Sequence, residues 1–210
     1  MSIEGNRLYI TELVDWMNLY SSDGGIKMLY ASGKLTVRLL EEKDKGYLVK
    51  WLSDPRVLEF YEGRDNPHYL DMVTEHFYDE RDGVSGCLVE YEETPIGYIQ
   101  FYEVEPKYRK LYGYEDADEI IYGMDQFIGE IDYWNKGIGT LLVSSMVNYL
   151  TSNKNASKIV MDPQTWNERA IKCYEKCGFQ KIKLLPKQEY HEGEYRDCWQ
   201  IEFSTKDTEN

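Results

Sequence analysis

The 210-residue sequence predicts an α+β fold: a mixed, mostly antiparallel sheet with helices on both faces. Three observations predict it. Residues 86–104, GCLVEYEETPIGYIQFYEV, read as an antiparallel hairpin around a Glu-Thr-Pro turn. Residues 119–161 run strand, helix, strand, a crossover that demands parallel neighbours. After one more helix, residues 180–203 supply two further strands, so antiparallel parts flank a parallel centre.

The elements follow in chain order. Residues 1–34 are expected to be an N-terminal extension, disordered or carrying one amphipathic helix. Ile10, Leu13, Val14 and Met17 have the helical i, i+3, i+4, i+7 spacing, and Ser21–Gly25 breaks it. The main domain is expected over residues 35–205. Leu35–Leu40 reads as a strand and Asp44–Leu52 as a helix. Ser53 or Asp54 caps a second short helix with Pro55 in its first turn. NPHYLDMVTEHFYDER, residues 66–81, predicts a third. Beyond the hairpin, the polar, tyrosine-rich Lys107–Asp118 reads as a loop and Glu119–Ile128 as a strand. A helix opens at Gly137 and Gly139 and runs to about Thr151. Residues 157–163, SKIVMDP, form a strand stopped by Pro163. Residues 167–179, NERAIKCYEKCGF, form a helix that Gly178 ends in the left-handed conformation. Strands near Gln180–Leu185 and Asp197–Phe203 and a frayed tail complete the chain.

Charge narrows the function classes. Lys and Arg number 24 against 38 Asp and Glu, a net charge of −14. Such a field repels nucleic acid and attracts cations, so it fits a polycationic substrate as well as simple solubility. No apolar run approaches the ~20 residues of a membrane span. The N-terminus lacks the basic-then-apolar pattern of a secretory signal, so a cytoplasmic location and no membrane partner are expected. Cys87, Cys173, Cys177 and Cys198 form no paired C-x-x-C and are expected as buried reduced thiols, without a metal site. His68, His76 and His191 show no catalytic spacing and are expected on the surface or in loops.

The glycine-opened helix carries the chemistry. A helix N-terminus presents unpaired N–H groups and the positive end of the dipole. A phosphate is stabilised there if the backbone can come close, and Gly137 and Gly139 have no Cβ to keep it away. Lys136 adds a positive charge, while Ile138, Leu141, Leu142 and Met146 anchor the helix in the core. The dinucleotide fingerprint fails, because Leu142 stands where its third glycine would be, and the Walker pattern is absent. Tight packing of the glycines against a neighbouring helix is the other explanation.

YWNKGIGTLL, residues 133–142, resembles the pyrophosphate loop of the GNAT acyltransferase superfamily, although Asn135 replaces its leading Gln or Arg. DPQTWNERAIKCYEKCGF, residues 162–179, resembles that superfamily's next motif, and PIGYIQ in the hairpin fits upstream. WLSDPRVLEFYEGRD and EIIYGMDQFIGE narrow the likeness to aminoglycoside 6′-N-acetyltransferases, similar to the acetyltransferase half of the bifunctional acetyltransferase–phosphotransferase type. The resemblance implies a GNAT fold with a splayed central parallel pair. It also implies acetyl transfer from acetyl-CoA to the 6′-amine of an aminoglycoside by a monomer or homodimer. Acetylation of another amine (a polyamine, a metabolite or a protein N-terminus) and a non-catalytic acyl-CoA-binding module are the alternatives.

Residue roles follow from the same likeness. Asp125 is a carboxylate inside an apolar strand and is expected to abstract a proton from the substrate amine or to orient it; a hydrogen-bonded strand carboxylate is the plain reading. Backbone groups of Gln126, Phe127, Ile128 and Gly129 are expected to pair with pantetheine amides as an added strand would. Lys136, Gly137, Ile138, Gly139 and Thr140 would hold the phosphates. Asn167 and Ala170 open the next helix, where Asn167 caps it or bonds the coenzyme. Tyr174 either protonates the departing thiolate or packs as an ordinary aromatic. Tyr61, Glu62, Asp118 and Asp162 are the candidates for substrate contact, with solvation or turn formation as their plainer roles.

Overall fold

The computed structural model describes residues 28–79, 83–114 and 119–208. One eight-stranded sheet organises the chain: β1 (Met28–Ser32), β2 (Leu35–Leu39), β3 (Val84–Tyr91), β4 (Thr94–Glu103), β5 (Ile121–Ile128), β6 (Lys158–Met161), β7 (Gln180–His191) and β8 (Glu194–Ser204). Its spatial order is β1-β2-β3-β4-β5-β6-β8-β7, and every adjacent pair is antiparallel except β5–β6. The expected mixed α+β sheet is therefore present, with its parallel pair where the crossover required it.

Strand alternation sends side chains to two cores. On one face, Leu35, Val37, Cys87 and Val89 join Leu142, Met146 and Leu150 of α5 (Ile138–Asn153). On the other, Leu88, Tyr98 and Phe127 join Leu48 and Trp51 of α1 (Lys45–Trp51), Val57 and Leu58 of α2 (Pro55–Leu58), and Val73 of α3 (Leu70–Thr74). Asp54 caps α2 by accepting from the Arg56 N–H at 2.9 Å. Arg38 and Asp44 form a buried two-pronged pair at 2.7 and 2.9 Å where β2 leads into α1. Burial pushes the Asp44 carboxyl up, but the Arg38 guanidinium and the Glu41 N–H outweigh it and hold it below the usual range.

Several boundaries differ from expectation. The sheet begins before Leu35: Met28–Ser32 pairs with β2 as an edge strand. The expected helix over Ile10–Met17 lies outside the described residues. The β3–β4 turn is Glu92–Glu93, both with positive φ, and Pro95 lies inside β4; two glutamates in a tight hairpin turn carry no Gly signal to read. The expected loop after β4 holds α4 (Pro106–Tyr112), ended by Gly113 at φ 81°. Strands β7 and β8 extend toward each other beyond their expected ends and meet at a Glu192–Gly193 turn, both residues at positive φ. His68 lies in a loop, as expected, but is buried there, and His191 is buried at the end of β7. His68 Nδ1 lies 3.0 Å from the Asn66 carbonyl and Nε2 3.1 Å from His76 Nδ1.

Candidate active site

The parallel pair comes apart early. Residues 121–123 of β5 pair with 158–160 of β6, and the register ends there although β5 continues to Ile128. The Gly129 N–H turns to β4, donating to the Ile96 carbonyl at 2.8 Å. Strand alternation then aims the amides of Gln126 and Ile128 toward the side β6 has left. Between this open edge, α5 and α6 (Glu168–Lys176) lies a cavity of about 470 Å³. Gln126, Phe127, Ile128, Gly137, Gly139, Thr140, Asn167, Ala170 and Tyr174 line it.

Its floor is the first turn of α5. Gly137 stands at φ 78°, a conformation that favours glycine. A Cβ on Gly139 would meet only Cys173 Sγ, at 3.7 Å, so helix packing does not demand that glycine. Its bareness leaves the helix N-terminus open to the cavity. Arg169, Lys172 and Lys176 line the wall and, among the described residues, no carboxylate does. Asn167 caps α6 through the Ala170 N–H at 3.2 Å. The Arg169 guanidinium stacks on Phe60 at 4.4 Å and on Trp134 at 4.3 Å, tying the chain after α2 to the start of α6.

A second cavity, about 730 Å³, adjoins the first and shares Phe60, Gln126, Asn167 and Tyr174 with it. Its charge is opposite. Glu62, Asp65, Asp125, Asp162, Glu189 and Glu192 line it, and among the described residues no Lys, Arg or His does. Glu192 pairs with Arg64 at 2.7 Å, clamping the chain after α2 against the β7–β8 turn. Tyr112 and Gln188 donate to Asp162 Oδ2 at 3.2 and 3.3 Å.

Asp125 sits at the back of this acidic cavity. Gln100, its cross-strand partner, donates to Oδ2 at 2.8 Å and is itself held by the Tyr98 hydroxyl at 2.8 Å. Tyr102 adds a hydroxyl to the carboxylate. It reaches there because Gly123, its cross-strand partner, has no side chain: a Cβ would stand 2.5 Å from the Tyr102 ring. Burial raises the Asp125 carboxyl; the Gln100 amide and Tyr102 hydroxyl oppose this, and the charges of Asp162 and Glu62 add to it. At the junction of the cavities, Gln126 Nε2 donates to the Tyr174 hydroxyl oxygen at 2.8 Å. That contact leaves the Tyr174 O–H hydrogen available to another acceptor. Burial raises the Tyr174 hydroxyl, so it stays protonated through the neutral range.

The comparisons with known proteins decide the family. An acetyltransferase (GNAT) domain matches residues 41–186. The chain belongs to the GNAT acetyltransferases. Within that family it is 31% identical over 154 residues to aminoglycoside N(6′)-acetyltransferase type 1 of Klebsiella pneumoniae, covering 72% of this chain and 76% of that one. A coenzyme A complex of the aminoglycoside acetyltransferase AAC(6′)-Ib superposes with a TM-score of 0.66 and 27% identity, over 83% of this chain and 97% of that one. A complex of the same enzyme with coenzyme A and kanamycin superposes equally well over the same shares.

This GNAT domain gathers most of the residues expected at the site; among the described residues the exceptions are Gly129 and the side chains of Lys136 and Ile138. The Gly129 N–H is committed to Ile96, and a Cβ there would collide with the Trp51 ring, so this glycine serves packing. Ile138 is buried in the core, and Lys136 is exposed over the Tyr133 ring at 5.8 Å; neither side chain lines the basic cavity. Asp118 lies outside the described residues. Phe60, Asp65, Gln100, Tyr102, Arg169, Glu189 and Glu192 escaped the sequence reading. The one signal near them, Glu192–Gly193, marks a hairpin turn but not the face that its glutamates take.

Proposed function

We propose that this protein transfers the acetyl group of acetyl-CoA to the 6′-amine of aminoglycoside antibiotics, by direct attack in a ternary complex, and so confers resistance. One observation carries the reading: a basic cavity at a bare helix N-terminus meets an acidic cavity at Gln126 and Tyr174. The first suits a polyanionic coenzyme and the second a polycationic amino sugar. Identity of 31% to an aminoglycoside N(6′)-acetyltransferase supports the same substrate class. We place the reaction in the cytoplasm, where acetyl-CoA is made; no helix among the described residues is long and apolar enough to cross a membrane.

In this reading acetyl-CoA supplies an activated thioester. The residues 137–140 backbone, Arg169, Lys172 and Lys176 hold its phosphates, and the Gln126 and Ile128 amides align its arm. Asp125 accepts a hydrogen bond from the substrate ammonium and, with its pKa raised, takes a proton from it more readily than an ordinary Asp of pKa ~3.9 would. Glu62, Asp162 and Glu189 hold the other amines. Tyr174 donates its O–H hydrogen to the leaving sulfur. Its pKa lies above ~10, against ~8.5 for a thiol, so complete proton transfer would be uphill by ~2 kcal/mol or more and a hydrogen bond is its main contribution.

Thiol release from acetyl-CoA, measured with neomycin and with paromomycin, tests this. The two differ only in bearing an amine or a hydroxyl at the 6′ position. Turnover with neomycin but not paromomycin is expected; equal turnover would place the reaction at another position. Spermidine in the same panel should be far poorer, and a preference for it would move the substrate to linear polyamines.

A further inference from the structure

Beyond the residues given roles above, α6 carries a nucleophile into the basic cavity. The Cys173 thiol lines it, half-buried. Its sulfur lies 3.5 Å from Thr140 Oγ1 and within reach of the Cys177 thiol, which also has the Thr140 carbonyl as an acceptor at 3.5 Å. It is also the heavy atom nearest to where a Cβ on Gly139 would stand. Gly139 and Thr140 are in the first turn of the 16-residue α5, so the sulfur faces the positive end of a long helix. Helix N-termini and nearby cations stabilise thiolates. The Cys177 contact lowers the Cys173 thiol and burial opposes it, but the Thr140 hydroxyl and the Lys176 charge add to the lowering, so Cys173 is held below the usual thiol range while its partner Cys177 is pushed above it. Cys87 and Cys198, by contrast, are fully buried.

We propose that Cys173 is a modification site for small disulfides, an adduct there filling the floor of the basic cavity and shutting out the coenzyme. This rests on the coenzyme reading of that cavity. The Cys173 thiolate attacks one sulfur of a disulfide such as oxidised glutathione. A Cys173–S–S bond forms, the original S–S bond breaks, and the other half leaves as a thiolate that water protonates. Arg169, Lys172 and Lys176 at the cavity wall favour an anionic disulfide over a cationic one.

The test is peptide mass spectrometry of the full chain after oxidised glutathione, with cystamine as the cationic comparison. One glutathionyl group on Cys173 is expected, with activity falling in step and dithiothreitol restoring it. Acetyl-CoA, whose thiol is masked as a thioester and cannot exchange with disulfides, should slow the labelling about tenfold at ten times its Kd. The Cys177→Ala variant, lacking the hydrogen-bonding thiol, should label severalfold more slowly. Cys173→Ser, compared with its own untreated sample, should lose no activity to oxidised glutathione. Labelling of Cys177 in preference, or equal inactivation of Cys173→Ser, would overturn the proposal. So would Cys173 labelling that acetyl-CoA leaves unchanged although calorimetry shows that it binds. Absence of heat with coenzyme A would instead overturn the functional reading beneath it, leaving only the reactive thiol.

Discussion

At the residue scale, Asp125 shows how a group proposed for catalysis can work against the fold. Its raised pKa means that the folded state favours the protonated carboxyl. The associated stability is present below the unfolded pKa of ~3.9 and is lost as pH rises through the folded value, so ionised Asp125 destabilises the protein at neutral pH. Asp125→Asn is therefore expected to lower kcat/KM by about a hundredfold or more while leaving Tm unchanged or slightly higher. Calorimetry beside steady-state kinetics checks both, and near-normal turnover in this variant would remove Asp125 from the mechanism. The acid limb of the wild-type kcat/KM profile should lie above the ordinary Asp range. Tyr174→Phe should lower kcat with little change in the KM for acetyl-CoA; an unchanged kcat would make Tyr174 a packing residue only.

At the element scale, the proposed coenzyme site implies that the first turn of α5 exchanges stability for access. Gly139→Ala adds a methyl that meets only Cys173 Sγ at ordinary contact distance. It should stabilise the fold by up to ~1 kcal/mol in denaturant titration and raise the Kd for coenzyme A, read by calorimetry. A coenzyme affinity that survives this substitution would show that the glycine is not there for a ligand. The β2–α1 junction depends on a different force. Removing the Asp44 charge leaves the buried Arg38 guanidinium with Glu90, at 3.1 Å, in place of its two-pronged partner, a loss of ~1–3 kcal/mol in unfolding experiments. Because the folded pKa of Asp44 is depressed, the wild-type pair's contribution is complete above pH ~3.9 and fades as acid carries the carboxyl through its lower folded value.

At the scale of the whole molecule, the net charge of −14 is unevenly placed. Carboxylates gather in the cavity assigned to the amino sugar, and cations gather in the adjoining one. Added salt should therefore raise the KM for a polycationic aminoglycoside severalfold while kcat stays nearly constant. A KM that ignores ionic strength would mean that shape, not charge, recognises the antibiotic.

Much of this was legible in the residues. Local signals with a fixed spacing announced themselves: the Gly137–Gly139 helix start, the Asn167 cap, Gly178 at the end of α6, and a carboxylate at Asp125 where an apolar strand should have none. They are legible because backbone conformation and short-range hydrogen bonding act over a few residues. The edge strand Met28–Ser32 was not, since a strand of five residues is stabilised by its neighbour more than by its own pattern. The convergence of Glu62, Asp125, Asp162, Glu189 and Glu192 was not legible either, nor were the Gly123 opening that admits Tyr102 and the Arg169–Phe60 stack. These groups are far apart along the chain. Only the early parting of β5 from β6 and the long β7–β8 hairpin bring them together, so their chemistry depends on tertiary packing that no local spacing encodes.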